Sequence, residues 1–179
     1  LTSHAWEIYL RPFAFTRSAQ FNNDWTGSNN SVFNDTHPTS SVVSISAGNG
    51  VNRILSNNDN RDYMMYSWAS VEGYSKYGKY VGNGNADGTF VYTGFRPAYV
   101  MIKNATSNGT HWLIWDKNRS GYNDDNTPLY GDLNNGEGTG GSVDLTSNGF
   151  KLRTTSSLRN ENGSTIIYIA FAETPFKYS

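Results

Sequence analysis

The sequence predicts an all-β protein built from tandem antiparallel β-sandwich modules of the jelly-roll or lectin-like type. Asn, Ser, Thr, Gly and Tyr dominate its 179 residues, and aromatic residues reach 15%. Short apolar runs recur between Gly and Asn clusters at intervals of roughly 8–12 residues, which is typical of sheets. No window keeps apolar residues at i, i+3, i+4 and i+7 for three turns, so we expect almost no helix.

An internal repeat predicts the tandem arrangement. Tyr63–Val71 recurs as Ile166–Thr174, and Ala5–Tyr9 resembles Thr110–Trp115. The spacing is about one small domain, which indicates whole modules and not a solenoid. The aligned pairs are Tyr66 with Ile169, Trp68 with Phe171 and Ala69 with Ala172.

The repeat also predicts a boundary near residue 72. Nothing before Leu1 corresponds to Tyr74–Asn108, so we expect 1–72 to be the C-terminal part of a first module whose N-terminal portion is missing. Residues 73–179 then form a complete second module. The chain is expected to be the C-terminal part of a longer polypeptide.

In the first module we predict strands at Trp6–Tyr9, Val42–Ile45 and Asp62–Ala69. Tyr63–Trp68 is apolar almost throughout, as in a strand buried on both faces. Asn22–Pro38 is polar and rich in Gly and Asn, so it is predicted to be a surface loop.

In the second module, Ser75–Val81 alternates and predicts a strand with Tyr77 and Tyr80 on opposite faces. Gly82–Gly88 predicts a turn, because Gly and Asn accept positive φ. Further strands are expected at Phe90–Thr93, Tyr99–Lys103, Trp112–Asp116, Ser142–Leu145, Gly149–Arg153 and Ile166–Glu173. Core positions are predicted for Trp6, Trp68, Trp112 and Phe171.

Composition excludes several classes of partner. The net charge is −1, and no basic cluster is denser than Arg11–Arg17, so nucleic-acid binding is not expected. No apolar stretch approaches the roughly 18 residues that span a bilayer, so no membrane insertion is expected. Cys is absent, which excludes disulfides and a Cys/His zinc site.

The candidate catalytic and metal-binding patterns in the sequence do not meet the requirements of the chemistry that they resemble. Asn83–Gly88 imitates the start of a calcium loop, but its twelfth position is Gly94 where a bidentate Glu is required, so a tight turn is favoured. The three histidines, His4, His37 and His111, are isolated from carboxylates in the sequence. The acids Asp116, Asp124, Asp125, Asp132 and Glu137 could supply a pair for glycoside hydrolysis, but they lie in a polar segment where acids are common. We expect no catalytic residue, no metal and no cofactor.

Two loops carry the residue types that bind sugars, because aromatic faces contact sugar rings while Asp and Asn bond the hydroxyls. The alternative is that their aromatic residues anchor the loops on the sheet or against a partner subunit. The candidate glycan-binding residues are Trp25, Asn23 and Asp24 in the first loop, and Tyr122, Asp124 and Asp125 in the second.

The run Val71–Lys103, together with Leu145–Arg153 and Ala170–Tyr178, resembles a domain family of tailed bacteriophages, most familiar from marine phages. The first module is also similar, through Asn34–Val43 and Tyr63–Tyr74. Members form the C-terminal part of tail-fibre or adhesin-type virion proteins, often with concanavalin A-like or laminin-G-like lectin modules. The family carries no catalytic residue that could be transferred to this chain.

The resemblance implies a non-enzymatic structural protein on the exterior of a virion, with a tail fibre favoured over the capsid surface. Its expected partners are other virion proteins, host-cell surface glycan and copies of itself, and a homotrimer is expected by analogy. Two alternatives stay open: a decoration or knob protein of the capsid surface, and a free carbohydrate-binding module.

Overall fold

The computed structural model describes residues 6–9, 18–22, 24, 32–45, 64–119, 127–138 and 142–176. Ten short strands and one single-turn helix make up its secondary structure. In chain order they are β1 (Glu7–Tyr9), β2 (Ser18–Gln20), β3 (Ser75–Val81), β4 (Phe90–Tyr92), β5 (Pro97–Asn104), β6 (Leu113–Asp116), β7 (Leu129–Tyr130), β8 (Val143–Thr146), β9 (Gly149–Leu152), α1 (Ser157–Asn160) and β10 (Thr165–Ala172). The protein is nearly all β, as the sequence predicts.

Two open antiparallel sheets enclose the main core. A five-stranded sheet has the order β3-β10-β5-β6-β7, and a three-stranded sheet has the order β4-β9-β8. Their facing side chains form one buried cluster, in which Trp115, Phe150 and Ile102 have no exposed surface. Burial of apolar area contributes about 25 cal/mol per Å², so this cluster dominates the stability of the fold.

Strand β10 is an interior strand of the five-stranded sheet. It pairs with β3 over Thr165–Phe171 and with β5 over Ile166–Ala172. Successive side chains point to opposite faces of a strand, so Ile166 and Tyr168 enter the main core while Ile167 and Ile169 lie on the outer face. Because both edges of β10 are paired, its continuous apolar sequence is accommodated.

The hairpin β1–β2 covers part of that outer face. Its strands pair Glu7 with Gln20 and Ile8 with Ala19. A second apolar cluster joins the hairpin to the sheet, and it contains Ile8, Ala19, Met101, Trp112, Ile114 and Ile167 among others. The described chain therefore has three layers: the hairpin, the five-stranded sheet and the three-stranded sheet.

The predicted strand Asp62–Ala69 is wrong over the part that the structure describes. Met64–Ser70 pairs with no strand among the described residues, and all seven residues are exposed. Trp68, expected in the core, is 65% exposed, and Trp6 is 56% exposed. An apolar run forms a buried strand only where neighbouring strands satisfy its peptide groups, and no strand within the described residues pairs with this segment as β3 and β5 pair with β10.

The predicted strand Val42–Ile45 is also wrong. The Thr39 hydroxyl accepts a hydrogen bond from the Val42 N–H at 3.0 Å, and the Thr39 N–H donates to the Val42 carbonyl at 2.9 Å. These local bonds close a turn, because a threonine hydroxyl competes with strand pairing for nearby peptide groups. Val42 and Ile45 are both exposed.

The predicted strands from Ser75 onward are confirmed, with ends that differ by a few residues. Of the two remaining residues predicted for the core, Trp112 is fully buried and Phe171 is half-buried. Three short elements were not predicted: β2, β7 and α1. Each has four residues or fewer, which is too short to show a periodicity in the sequence.

Candidate functional site

Asp24 is the one predicted glycan-binding residue that the structure describes, and it is exposed to solvent. The other five residues, Asn23, Trp25, Tyr122, Asp124 and Asp125, lie outside the described residues. Asp24 follows the β1–β2 hairpin, close enough to Lys103 for its charge to act on that side chain. The first candidate loop therefore begins beside a buried lysine, Lys103, for which the sequence analysis predicts no role.

Lys103 lies on β5, on the outer face of the five-stranded sheet, and has no exposed surface. Its ammonium group donates to the Thr110 carbonyl and lies 5.5 Å from the ring centroid of Trp112. Burial lowers the pKa of Lys103 to about 8, although the carboxylates of Asp132 and Asp24 raise it in part. The sequence shows only a lysine in an apolar strand, so the burial of its charge could not be predicted.

His111 and Asp132 form a hydrogen-bonded pair beside this lysine. The two side chains meet at 2.9 Å between Nδ1 and Oδ2, and the Asp132 side chain is fully buried. The other carboxylate oxygen of Asp132 accepts a hydrogen bond from the Trp112 N–H at 3.1 Å. Asp132 thus uses both oxygens to hold the start of β6, which is a structural role for the pair.

The remaining acids of the polar segment are also paired where they are described. Arg119 bonds Asp116 through Nε and contacts Glu137 at 3.2 Å through Nη1. Burial raises the pKa of Asp116, but the hydrogen bonds from Arg119 and the Asn118 N–H, together with the Arg119 charge, outweigh burial and leave the pKa lowered. A general acid for glycoside hydrolysis needs a raised pKa, so Asp116 is not suited to that role.

The segment that imitates a calcium loop is held by an amide nitrogen. Asn160 Nδ2 lies 2.9 Å from Asn83 Oδ1, 2.8 Å from the Asn85 carbonyl and 2.7 Å from the Thr154 carbonyl. Asn160 Oδ1 accepts from the Asn83 N–H at 3.0 Å. Asn85 Oδ1 accepts from the Asp87 N–H at 2.9 Å, and the Asp87 carboxylate pairs with Lys151 at 2.9 Å. The side-chain oxygens that a cation would need therefore have partners within the protein, and the turn expected over Gly82–Gly88 is observed.

No group of three or more potential metal ligands occurs in the described parts of the chain. The same residues contain no helix long and apolar enough to cross a membrane.

The hairpins β1–β2 and β6–β7 share one hydrogen-bond pattern. The Phe21 N–H donates to the Trp6 carbonyl at 2.8 Å, and the Gly131 N–H donates to the Trp112 carbonyl at 2.8 Å. The Trp6 N–H donates to Asn22 Oδ1 at 2.9 Å, as the Trp112 N–H donates to Asp132 Oδ1. Both hairpins also pair in the same register after their tryptophan, Glu7 with Gln20 and Leu113 with Tyr130.

These related hairpins pack on each other through Trp112. The indole N–H of Trp112 donates to the Gln20 carbonyl at 2.8 Å. Its ring lies 5.5 Å from that of Phe21. Trp112 is fully buried by this contact and by the sheet, whereas its counterpart Trp6 is exposed.

An exposed apolar surface surrounds Trp6. The Trp6 ring stacks on Tyr66 at a centroid distance of 6.2 Å, and Tyr66 stacks on Trp68 at 5.9 Å. Met64 contacts the Tyr66 hydroxyl through its sulfur at 3.0 Å. We call Trp6, Met64, Tyr66 and Trp68 the aromatic surface. Each is more than half exposed, and contiguous apolar patches of this kind mark interaction sites.

The fold and these contacts define a class of antiparallel β protein in which a hairpin caps one of two packed sheets. The chain belongs to the family described as a domain of unknown function (DUF7483), whose model matches residues 2–175. Neither the comparison with curated proteins nor that with solved structures gives a match.

Proposed function

We propose that this chain is a non-enzymatic structural component of a bacteriophage virion, a tail fibre or adhesin that meets the host surface. The proposal rests on the resemblance of Val71–Lys103 to such proteins. The structural observation that carries it is the packing of the β1–β2 hairpin on the sheet that contains its counterpart β6–β7. Repeated β units that pack on one another form elongated particles, which is the shape a fibre requires.

The same observation supports tandem β-sandwich modules. The five- and three-stranded sheets form the second module, and the hairpin β1–β2 belongs to the first. The support is the shared register and the two pairs of equivalent hydrogen bonds, at Trp6 and at Trp112. In both hairpins an asparagine or aspartate side chain accepts a hydrogen bond from the tryptophan backbone N–H, and two unrelated hairpins would not be expected to share this feature.

The expected partners are copies of the chain and other proteins of the virion. A homotrimer follows by analogy with other fibres, and exposed apolar residues supply surface for such contacts. Sedimentation equilibrium measures the mass directly. A monomer at micromolar concentration would contradict the trimer.

Host glycan is the proposed ligand, bound by the loops that contain Trp25 and Tyr122. Asp24, the described member of this set, is exposed and so is available to a ligand. Trp25→Ala and Tyr122→Ala should each weaken binding to host cells or to a glycan array by about tenfold or more. Tyr92→Ala is the control, because Tyr92 is an exposed aromatic residue on β4 and lies outside both loops. Equal effects of all three substitutions would contradict the glycan site.

Cryo-electron microscopy of the intact particle tests the virion assignment. Density for this fold at the tail, with three copies about one axis, is the expected result. Density spread over the capsid lattice would make the chain a decoration or knob protein. Its absence from purified particles would refute the proposal, and a free carbohydrate-binding module would then be the better explanation.

A further inference from the structure

The side chain of Arg159 lies between β7 and β8, which are the edge strands of the two sheets as described. Arg159 belongs to α1, and its carbonyl accepts a hydrogen bond from the Tyr80 hydroxyl at 2.7 Å. Its Nη1 donates to Ser142 Oγ at 2.6 Å, directly before β8, and its Cζ lies 5.8 Å from the ring centroid of Trp115 on β6. The Tyr130 hydroxyl on β7 is close enough to act on its charge. Contacts with both sheets therefore fix the position of this guanidinium.

Arg159 differs from the other arginines that the structure describes. Each of those three pairs with a carboxylate: Arg96 with Glu173, Arg119 with Asp116, and Arg153 with Asp144. Arg159 pairs with no carboxylate of the described residues. Burial lowers the pKa of Arg159, and the groups that oppose this effect are the hydroxyls of Tyr130 and Tyr80. The guanidinium has therefore lost part of its water without gaining a negative partner.

The donors of this guanidinium are only partly used. Nη1 bonds Ser142, whereas Nε is buried and has no hydrogen-bond partner, which is true of no other buried side-chain nitrogen or oxygen in the described residues. Nη2 makes no hydrogen bond with these residues either, and it is not among the buried atoms. Because the enclosed Nε–H has no acceptor, the positive charge is uncompensated inside the protein, and Nη2 is the donor through which an anion can reach it.

We infer that Arg159 binds the carboxylate group of an acidic sugar, so that the proposed host ligand is an acidic glycan. A carboxylate presents two oxygens, which suits the two donors available here, Nη2 and the hydroxyl of the half-buried Tyr130. Hydrogen bonds between two charged groups are about twice as strong as neutral ones, and partial burial of Arg159 strengthens them further. The choice of a sugar rests on the proposed function, whereas the choice of a carboxylate rests on Arg159 and its surroundings.

The test titrates the wild-type chain with a galacturonic acid trisaccharide and follows the side-chain Nε–H resonance of Arg159 by nuclear magnetic resonance. This proton is buried, so it exchanges slowly with water and gives an observable signal. We expect a saturable shift of the signal, with a dissociation constant below about 1 mM. The methyl ester of the same trisaccharide keeps the sugar rings and removes the negative charge, so it should produce no shift. Sodium sulfate at the same concentration tests for a general anion site.

Two matched variants assign the binding to this arginine. Arg159→Gln removes the charge at the site, so it should weaken binding of the trisaccharide, measured by calorimetry, by about tenfold or more. Arg153→Gln is the control, because Arg153 is an exposed arginine whose charge is already paired with Asp144. It should leave the affinity unchanged within about twofold. The resonance of the wild-type chain keeps the test decisive if Arg159→Gln does not fold.

Four results would overturn the inference: no shift with the acid, an equal shift with the ester, an equal shift with sulfate, and equal affinities of the two variants. Binding that appears only when Asp124→Asn and Asp125→Asn are combined would assign Arg159 to carboxylates of its own chain, and would also overturn it. Binding of neutral but not of acidic glycans would refute this inference and leave the proposed glycan-binding function in place. Absence of the chain from purified particles would refute the virion assignment and leave the carboxylate site in place.

Discussion

Replacement of Asn160 by aspartate tests how the turn over Gly82–Gly88 is held. The substitution keeps the size of the side chain and removes an amide group with three acceptors within 2.9 Å. Asn160 has no exposed surface. The amide group has two N–H donors and a neutral carboxyl group has one O–H donor, so the substitution removes one buried donor. A lost hydrogen bond costs about 1 kcal/mol, so we expect a loss of about 1 kcal/mol at low pH.

The loss should grow as the pH rises. Burial among oxygen atoms raises the pKa of a carboxyl group in the folded chain, by about two units or more. The folded chain then holds a proton that the unfolded chain releases above pH about 4, so the free energy of unfolding falls with increasing pH. Two units correspond to about 2.7 kcal/mol, which brings the total loss to about 4 kcal/mol at neutral pH.

Urea unfolding at pH 4.5 and pH 7.5 measures both the loss of stability at low pH and its increase toward neutral pH. Asn135→Asp is the matched control, because Asn135 is exposed and the same chemical change there should have little effect at either pH. The reasoning is refuted if Asn160→Asp matches the wild-type chain at pH 7.5, or if its loss is the same at both pH values.

Three further predictions concern the outer face and the core. Because burial lowers the pKa of Lys103 to about 8, the unfolded chain binds more protons above that pH, and stability should rise between pH 8 and 9.5. Lys103→Met should abolish this rise in urea titrations; an unchanged pH profile would contradict it. Trp112→Phe removes the donor to the Gln20 carbonyl, so it should cost about 1–2 kcal/mol and speed amide exchange in β1–β2. Trp68→Ala should change stability by less than about 0.5 kcal/mol, whereas Trp115→Ala should cost about 3–5 kcal/mol; equal thermal shifts would refute the assigned burial.

The sequence predicts strands well where each strand finds neighbours within the same chain. Ser75–Val81 and Ile166–Glu173 were placed correctly because they pair with each other and bury the faces that their patterns indicate. Met64–Ala69 has a pattern as apolar as that of β10, but it pairs with no strand in the described part of the chain. The pattern of apolar residues indicates which faces a strand would bury. It does not indicate whether neighbouring strands are available to pair with it.

The residues of the candidate site were less predictable, because their chemistry arises from contacts between distant positions. His111 and Asp132 are 21 positions apart, and their pairing depends on the register of β6 with β7. Asn160 reaches Asn83 from 77 positions away. The equivalence of Asn22 and Asp132 was hidden in the sequence, since the two residues differ and only their hydrogen bonds to a tryptophan N–H agree.

The start of β3 and the end of β10 lie at one corner of the five-stranded sheet. The Phe176 N–H donates to the Gly73 carbonyl at 3.2 Å, and the Ala172 N–H donates to the Tyr74 carbonyl at 2.9 Å. A pulling force applied at these ends would separate β3 from β10 one hydrogen bond at a time, beginning with these two. Mechanical load carried through the backbone would therefore open the sheet at low force. In the fibre proposed above, a high tensile strength would require that the contact between Trp112 and the β1–β2 hairpin carries the force.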